Sequence, residues 1–328
     1  MRALFLLHSY LYINKYYMRL PFPHASTHRQ VKERRLFITD LLKASLASAF
    51  VFSAGDSVAN DLFIAKKSYT VGDVMDIILK EIPGAPFGET VDTLKSGSRE
   101  MLVTGIVTTM FATVDVIRQA ITTGANFIIA HEPTFYNHTD NKGWVSPNHI
   151  VQQKVDLLEK NKITVWRLHD YLHSFVPDSV QYGVVKQAGW LRYYKPGNAV
   201  IGLPAISLGD LAAHLKMKLD IAQVRVIGRL SQKCERIALL PGAAGGQRHI
   251  SFVEKERPDV LIVGEVHEWE TAEYIRDAQQ LGEKTSLIVL GHSVSEEPGL
   301  QWLKEWLQPK LPGIKVAHII SGNPFTWV

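Results

Sequence analysis

Cysteine is almost missing from this chain: Cys234 is the only one among 328 residues. A single thiol excludes an internal disulfide, a thiolate-only zinc site and an iron–sulfur cluster. Long apolar runs are missing too. The most apolar N-terminal stretch, ending at Phe52, is short and broken by Lys43, which makes a poor membrane span. Neither a Gly-x-Ser-x-Gly elbow nor a Walker phosphate loop occurs, which argues against a serine hydrolase and a P-loop NTPase. There is no repeat of fixed period and no low-complexity tract. The body of the chain also lacks excess positive charge. The formal net charge is +4, but residues 1–35 carry seven Lys/Arg against Glu33 alone, so the rest stands at −2. The basic balance belongs to the N-terminal segment and gives no reason to expect a nucleic-acid partner. What remains is ordinary for a globular chain, 46% hydrophobic and 21% charged residues, at a length that suggests two packed lobes.

Residues 1–59 read as a leader. Lys32-Glu33-Arg34-Arg35 sets paired arginines before the apolar stretch, and Ser57-Val58-Ala59 offers a small-x-small cleavage site. This resembles a bacterial twin-arginine signal and predicts export to the periplasm, with no stable membrane insertion after processing. The alternative is a cytoplasmic protein with an amphipathic N-terminal extension, and Met18 could serve as another start.

Strand and helix signals alternate through the rest. Thr70-x-x-Asp73 is a capping box for a helix to about Glu81, stopped by Pro83-Gly84. Thr113 caps a helix over 114–122 that Gly124 ends. Residues 148–160 show helical spacing, and Ser207-x-x-Asp210 opens another capped helix. Further helices are predicted at 270–280 and near 298–307. Buried strands are predicted at 101–108, 126–130, 163–168, 224–227, 237–240, 260–263, 286–290 and 314–320. Residues 193–206, with Pro196-Gly197 and Gly202-x-Pro204, read as a loop-rich junction between a lobe over 60–195 and a lobe over 196–328. The class is α/β.

Three of the predicted strands run into histidine. Residues 127–130 lead to His131-Glu132-Pro133, residues 165–168 to His169-Asp170-Tyr171-Leu172-His173, and residues 286–290 to Gly291-His292-x-x-x-Glu296. Ligands of α/β sheets gather at the carboxyl ends of strands. Imidazole and carboxylate suit zinc, iron or manganese. Six donors, His131, Glu132, His169, His173, His292 and Glu296, exceed the need of one tetrahedral ion and suit two. Glu132 and Glu296 are candidate proton acceptors.

With these motifs, residues 68–320 resemble the NIF-three-like (NGG-one interacting factor three-like) dinuclear metal centre family, whose members are often labelled GTP cyclohydrolase I type 2-like. The carriers are Gly124-Ala-Asn-Phe-Ile-Ile-Ala130 before His131-Glu132-Pro133, the glycine-rich turn 241–246, Val263-Gly264-Glu265, and Gly291-His292-x-x-x-Glu296 followed by Glu297-Pro298-Gly299. The resemblance implies two α/β lobes with mixed sheets, a two-metal site in the cleft at strand C-terminal ends, and often a ring-shaped homo-oligomer. It departs from the family at two places. Glu132 stands where the family has a second His of His-His-Pro, and His173 where His-x-x-x-Asp has its acid. The two changes offset each other in charge, which predicts that Glu132 and His173 serve one ion and compensate. Asp170 is the alternative carboxylate or an outer support for a ligating His. Gly242–Gly246 could cradle an anion through backbone amides. His267 and Glu268 could reach the pocket rim as proton-transfer groups, although Trp269 occupies a place where the family often has His. His138 and His149 fall in a loop after the first motif, without an assigned role. Two functions are consistent with this reading. One is a metal-dependent hydrolase acting on an unidentified small molecule. The other is a non-catalytic metal-binding scaffold.

Overall fold

The computed structural model describes residues 67–145 and 147–328. The proposed leader, residues 1–59, lies outside them. Two five-stranded mixed sheets carry the fold, each with helices on both faces.

The first sheet has the order β1-β4-β3-β2-β10, with β1 Leu94–Ser96, β2 Ile106–Thr109, β3 Phe127–Ala130, β4 Thr164–Arg167 and β10 Val316–His318. Only β1 runs antiparallel to its neighbour. Every residue of β2, β3 and β4 is buried, as expected for parallel strands covered on both sides. On one face Ile106, Phe127, Ile129 and Trp166 pack with α1 (Val71–Leu79) and with Leu300, Leu303 and Leu307 of α9 (His292–Leu307). On the other, Val107, Ile128 and Val165 meet α2 (Val114–Thr122) and α3 (His149–Lys160). Those helices start where side-chain caps are available. Thr70 and Asp73 form the full capping box of α1, Thr113 accepts from the Val116 amide, and Asn148 accepts from Ile150 and Val151.

The second sheet has the order β5-β7-β8-β9-β6, with β5 Val200–Ser207, β6 Arg225–Ile227, β7 Lys233–Leu240, β8 Val260–Val263 and β9 Ser286–Val289. Its outer strands β5 and β6 are antiparallel and its centre is parallel. Helices α5 (Ser179–Gln187) and α6 (Leu208–Leu219, capped by Ser207) cover one face, and α7 (Gly246–Glu256) and α8 (Glu273–Gln280) cover the other.

Three expectations need correction. Residues 200–207 form an edge strand rather than a junction loop; its register shifts between Gly202 and Ile206, so the irregular stretch accommodates Pro204. Helix α9 begins at His292, not near Pro298, and Pro298 lies inside it. The last strand returns to the first sheet, pairing with β2, so residues beyond 291 serve both sheets. Helix α9 is seated by a close approach to α5. A Cβ on Gly183 would lie 2.5 Å from Gly299 N, and one on Gly299 2.8 Å from Val180 Cα. Only hydrogen at both places lets the backbones meet.

Candidate metal centre

The parallel strands deliver the cluster. His131 and Glu132 follow β3, and His169 follows β4 by two residues. His173 ends the single turn α4 (Asp170–His173), and His292 and Glu296 sit one turn apart at the start of α9. Asp92 holds the β4 exit, its carboxylate accepting from the His169 amide at 2.7 Å and the Tyr171 amide at 2.8 Å. Burial raises the Asp92 pKa despite those bonds.

All six predicted donors come together. His131 Nε2 lies 3.4 Å from Glu296 Oε2, and His292 Nε2 lies 3.2 Å from the same oxygen and 3.5 Å from Glu132 Oε1. His169 Nε2 is 3.6 Å from Glu132 Oε1, and His173 Nε2 is 3.9 Å from Glu296 Oε1. The His131 and His169 rings stack at 4.7 Å. Two overlapping groups, His131/His169/His173 and His131/Glu132/Glu296, each bring their ligand atoms within 4.8 Å of one another.

Each imidazole is held by its other nitrogen. Nδ1 of His131 contacts the Leu168 carbonyl at 3.0 Å, that of His169 the Asp170 carboxylate at 2.9 Å, that of His173 Asp178 at 3.0 Å, and that of His292 Glu265 at 3.1 Å. An acceptor at Nδ1 puts the proton there and leaves Nε2 with a lone pair, which is how outer groups orient metal-binding histidines. Asp170 is therefore an outer support for His169. It is itself fixed by Thr90 and the Val91 amide.

The donor set fits a divalent ion. His131 Nε2 and Glu296 Oε2 are buried and have no hydrogen-bond partner. Most donor–donor separations exceed a good hydrogen bond. They match the roughly 3.3 Å that separates two ligands each about 2 Å from a tetrahedral zinc.

Without a cation the carboxylates draw protons onto the rings. Burial opposes charge on His292, but contact with Glu132 and Glu296 outweighs it and pushes the pKa up to about 10. His131 rises in the same way, burial being outweighed by Glu296 and Glu132. Burial and the neighbouring His131 push His169 down to about 4. Both carboxylates resist protonation: burial would raise them, and the adjacent imidazoles hold them below the usual range.

Other expected groups sit elsewhere or act differently. His267 and Glu268 are exposed and pair with Glu270 at 3.3 Å and Arg225 at 2.9 Å rather than with the six donors. The turn 242–246 directs two of its amides to the chain's own side chains. The Gly246 amide donates to Glu270 at 3.1 Å, the Gly242 amide to Ser295 at 2.9 Å, and a Cβ on Gly242 would stand 2.0 Å from Glu296 Oε1. His138 lies edge-on to His169 at 5.9 Å.

Residues 70–324 match the family described as Duf34/NIF3 (NGG1p interacting factor 3). The chain belongs to the Duf34/NIF3 family. A GTP cyclohydrolase 1 type 2 homolog of Clostridium perfringens is 23% identical over 273 residues, spanning 79% of this chain and 99% of that protein. One of Clostridium acetobutylicum is 25% identical over 244 residues, 70% of this chain and 87% of the relative. Crystal structures share the NIF3 fold. A Staphylococcus aureus protein aligns with a TM-score of 0.63 at 22% identity, covering 79% of this chain and 99% of that one. A Bacillus cereus protein related to NIF3 aligns with a TM-score of 0.61 at 18% identity, covering 80% and 100%.

Against the NIF3 pattern that the sequence resembles, Glu132 and His173 do not meet. Glu132 contacts His169, His292 and Arg167, whereas His173 contacts Glu296 and Asp178. Sequence reasoning missed the supports Asp92, Asp178 and Arg167, and gave Glu265 no role. Asp178 had a local signal as the cap of α5, while Asp92 and Arg167 act only through tertiary contact.

Proposed function

We propose that this protein is a metal-dependent hydrolase that holds two divalent ions between His131, Glu132, His169, His173, His292 and Glu296 and cleaves a small molecule. One observation carries the reading. Four imidazoles are each fastened at Nδ1 and converge by Nε2 on two ionised carboxylates, with buried donor atoms left unpartnered.

A pair of divalent ions held by these residues would supply Lewis acidity toward a carbonyl, phosphoryl or ring-carbon electrophile and would lower the pKa of a bound water toward neutral. The chain does the rest. Asp170, Asp178 and Glu265 keep the rings in one tautomer and one orientation. Arg167 stands beside Glu132, with Nη2 3.5 Å from Oε2. Glu296, beside His131, His173 and His292, joins Glu132 as a candidate proton acceptor during turnover. Access to solvent favours a hydrolase over a structural brace. The side chains of His169, His173 and His292 are 23%, 31% and 23% exposed, and a structural site would be closed.

The test is turnover in oxygen-18 water. Zinc- or manganese-loaded protein is incubated with a panel of phosphoesters, cyclic amides and amino-substituted heterocycles. The expected result is one labelled oxygen per product molecule, lost on chelation and in Glu296→Gln. Full metal occupancy with no product across the panel would favour the scaffold reading instead. Export by the twin-arginine route belongs to the same proposal. A reporter fused after Ala59 is expected in the periplasm, and Arg34→Lys with Arg35→Lys is expected to keep it inside. A reporter that stays in the cytoplasm with the native leader contradicts export.

A further inference from the structure

Behind the cluster runs a row of charges that the hydrolytic reading leaves unexplained. Lys95 Nζ lies 3.2 Å from Asp140 Oδ2, Asp140 Oδ2 lies 3.7 Å from Arg167 Nη1, and Arg167 Nη2 lies 3.5 Å from Glu132 Oε2. The signs alternate and cancel. All four side chains are at most 9% exposed, and Arg167 is fully buried. Its position is costly. Arg167 ends β4 two residues after Val165, whose face of the sheet packs against α2 and α3. A guanidinium placed there needs carboxylates beside it.

Its nitrogens are divided among specific partners. Nε donates to the His131 carbonyl at 3.2 Å, and Nη1 donates to the His138 carbonyl. Nη2 makes no hydrogen bond and faces the Glu132 carboxylate. The far end of the row is fixed independently. Asp140 accepts from the Phe135 amide at 2.8 Å, and Lys95 donates to Val91 O and Thr93 Oγ1, both at 2.9 Å. Glu132 consequently faces two ways, Oε2 toward Arg167 and Oε1 toward His169 and His292.

We propose that Arg167 is a positioning residue that engages Oε2 of Glu132, so that Glu132 offers Oε1 alone to the metal centre. On this account Arg167, not His173, is the residue that makes a glutamate workable at position 132. The inference rests on the metal-centre reading. It has a consequence that charge counting over the six donors misses. Glu132→His leaves Lys95, Arg167 and Asp140 with one buried positive charge in excess, directly beside the imidazoles. Arg167→Met in that background removes the excess.

The experiment is a double-mutant cycle on the full chain with two readouts. Thermal unfolding in excess chelator reports the pair without any metal. Competition with a chromophoric chelator reports zinc affinity. Glu132→His and Arg167→Met are each expected to lower the unfolding temperature, and the double variant to lose clearly less than the two losses combined. Zinc affinity is expected to fall about tenfold in Arg167→Met, the low end for lost outer supports. A smaller fall is expected in Arg167→Lys, and no further fall when Arg167→Met is added to Glu132→His. If Arg167→Met fails to fold alone, its rescue by Glu132→His is the predicted coupling. If neither folds, the cycle of Arg167→Lys with Glu132→Gln decides, since the Lys substitution must cease to matter once position 132 is neutral. Additive losses in both readouts, or unchanged zinc affinity in the Arg167 variants, overturn the proposal. Failure of the unsubstituted protein to bind zinc contradicts the metal-centre reading before any variant is compared, and the positioning role falls with it.

Discussion

His292 illustrates the chemistry at the scale of single residues. Its ring lies between Glu132 and Glu296, and Glu265 holds its outer nitrogen. The folded pKa of about 10 stands above the ordinary 6.5. In metal-free protein this contact therefore contributes its full stabilisation below about pH 6.5 and loses it as pH rises toward 10. Glu296 moves the other way, so its contribution is present above its ordinary 4.5 and is lost on acidification. A metal ion reverses the dependence for the imidazole, because ion and proton compete for one nitrogen. The stabilisation that zinc or manganese adds should accordingly grow from pH 6 to pH 9, read as the difference in unfolding temperature with and without the ion. Calorimetric titration in two buffers at pH 7 should show at least one proton released. A metal-induced shift that is flat in pH, with no proton released, would contradict the assignment of His292. At the outer edge, Asp178→Asn should weaken zinc binding by roughly 10–100-fold while leaving all six donors in place. Unchanged affinity would mean that the bond to His173 Nδ1 does not orient that ring.

Among the elements, the turn after β7 bears most directly on the site. Gly242 has φ +73° and its Cα faces the Glu296 carboxylate. Gly242→Ala should cost about 1–2 kcal/mol from the backbone alone and, by displacing Glu296, should also lower zinc affinity. A stable variant with unchanged affinity would show that Glu296 does not depend on the turn. Elements announced by their own ends were the legible ones. Helix α2 could be read residue for residue because Thr113 caps it and Gly124 follows it, and the start of α6 because Ser207 and Asp210 open it. Thr113→Ala should correspondingly cost about 1 kcal/mol in chemical denaturation. Helix α7 was missed because Gly245 precedes it without a side-chain cap, and β5 because Gly202 and Pro204 look like a loop unless an irregular edge pairing is foreseen. That these six side chains would converge was legible because parallel strands lead into His131, His169 and His292. Arg167 and Asp92 were not, because their partners lie 35 and 77 residues or so away and only the fold brings them near.

For the whole molecule, the decisive feature is that one cluster draws on two sheets. β3 and β4 of the first sheet supply His131, Glu132 and His169, and the segment leaving β9 of the second supplies His292 and Glu296. Helix α9 then packs onto the first sheet, and β10 joins it. Ions held in the cluster would brace both sheets, so removing them should lower the unfolding temperature of the whole described fold rather than loosen one part. Elemental analysis tests the central claim most directly. Protein purified without chelators and supplied with zinc or manganese should carry two ions per chain, and His292→Ala should lose most of them. One ion per chain would contradict the two-metal account, and none would contradict the metal centre itself.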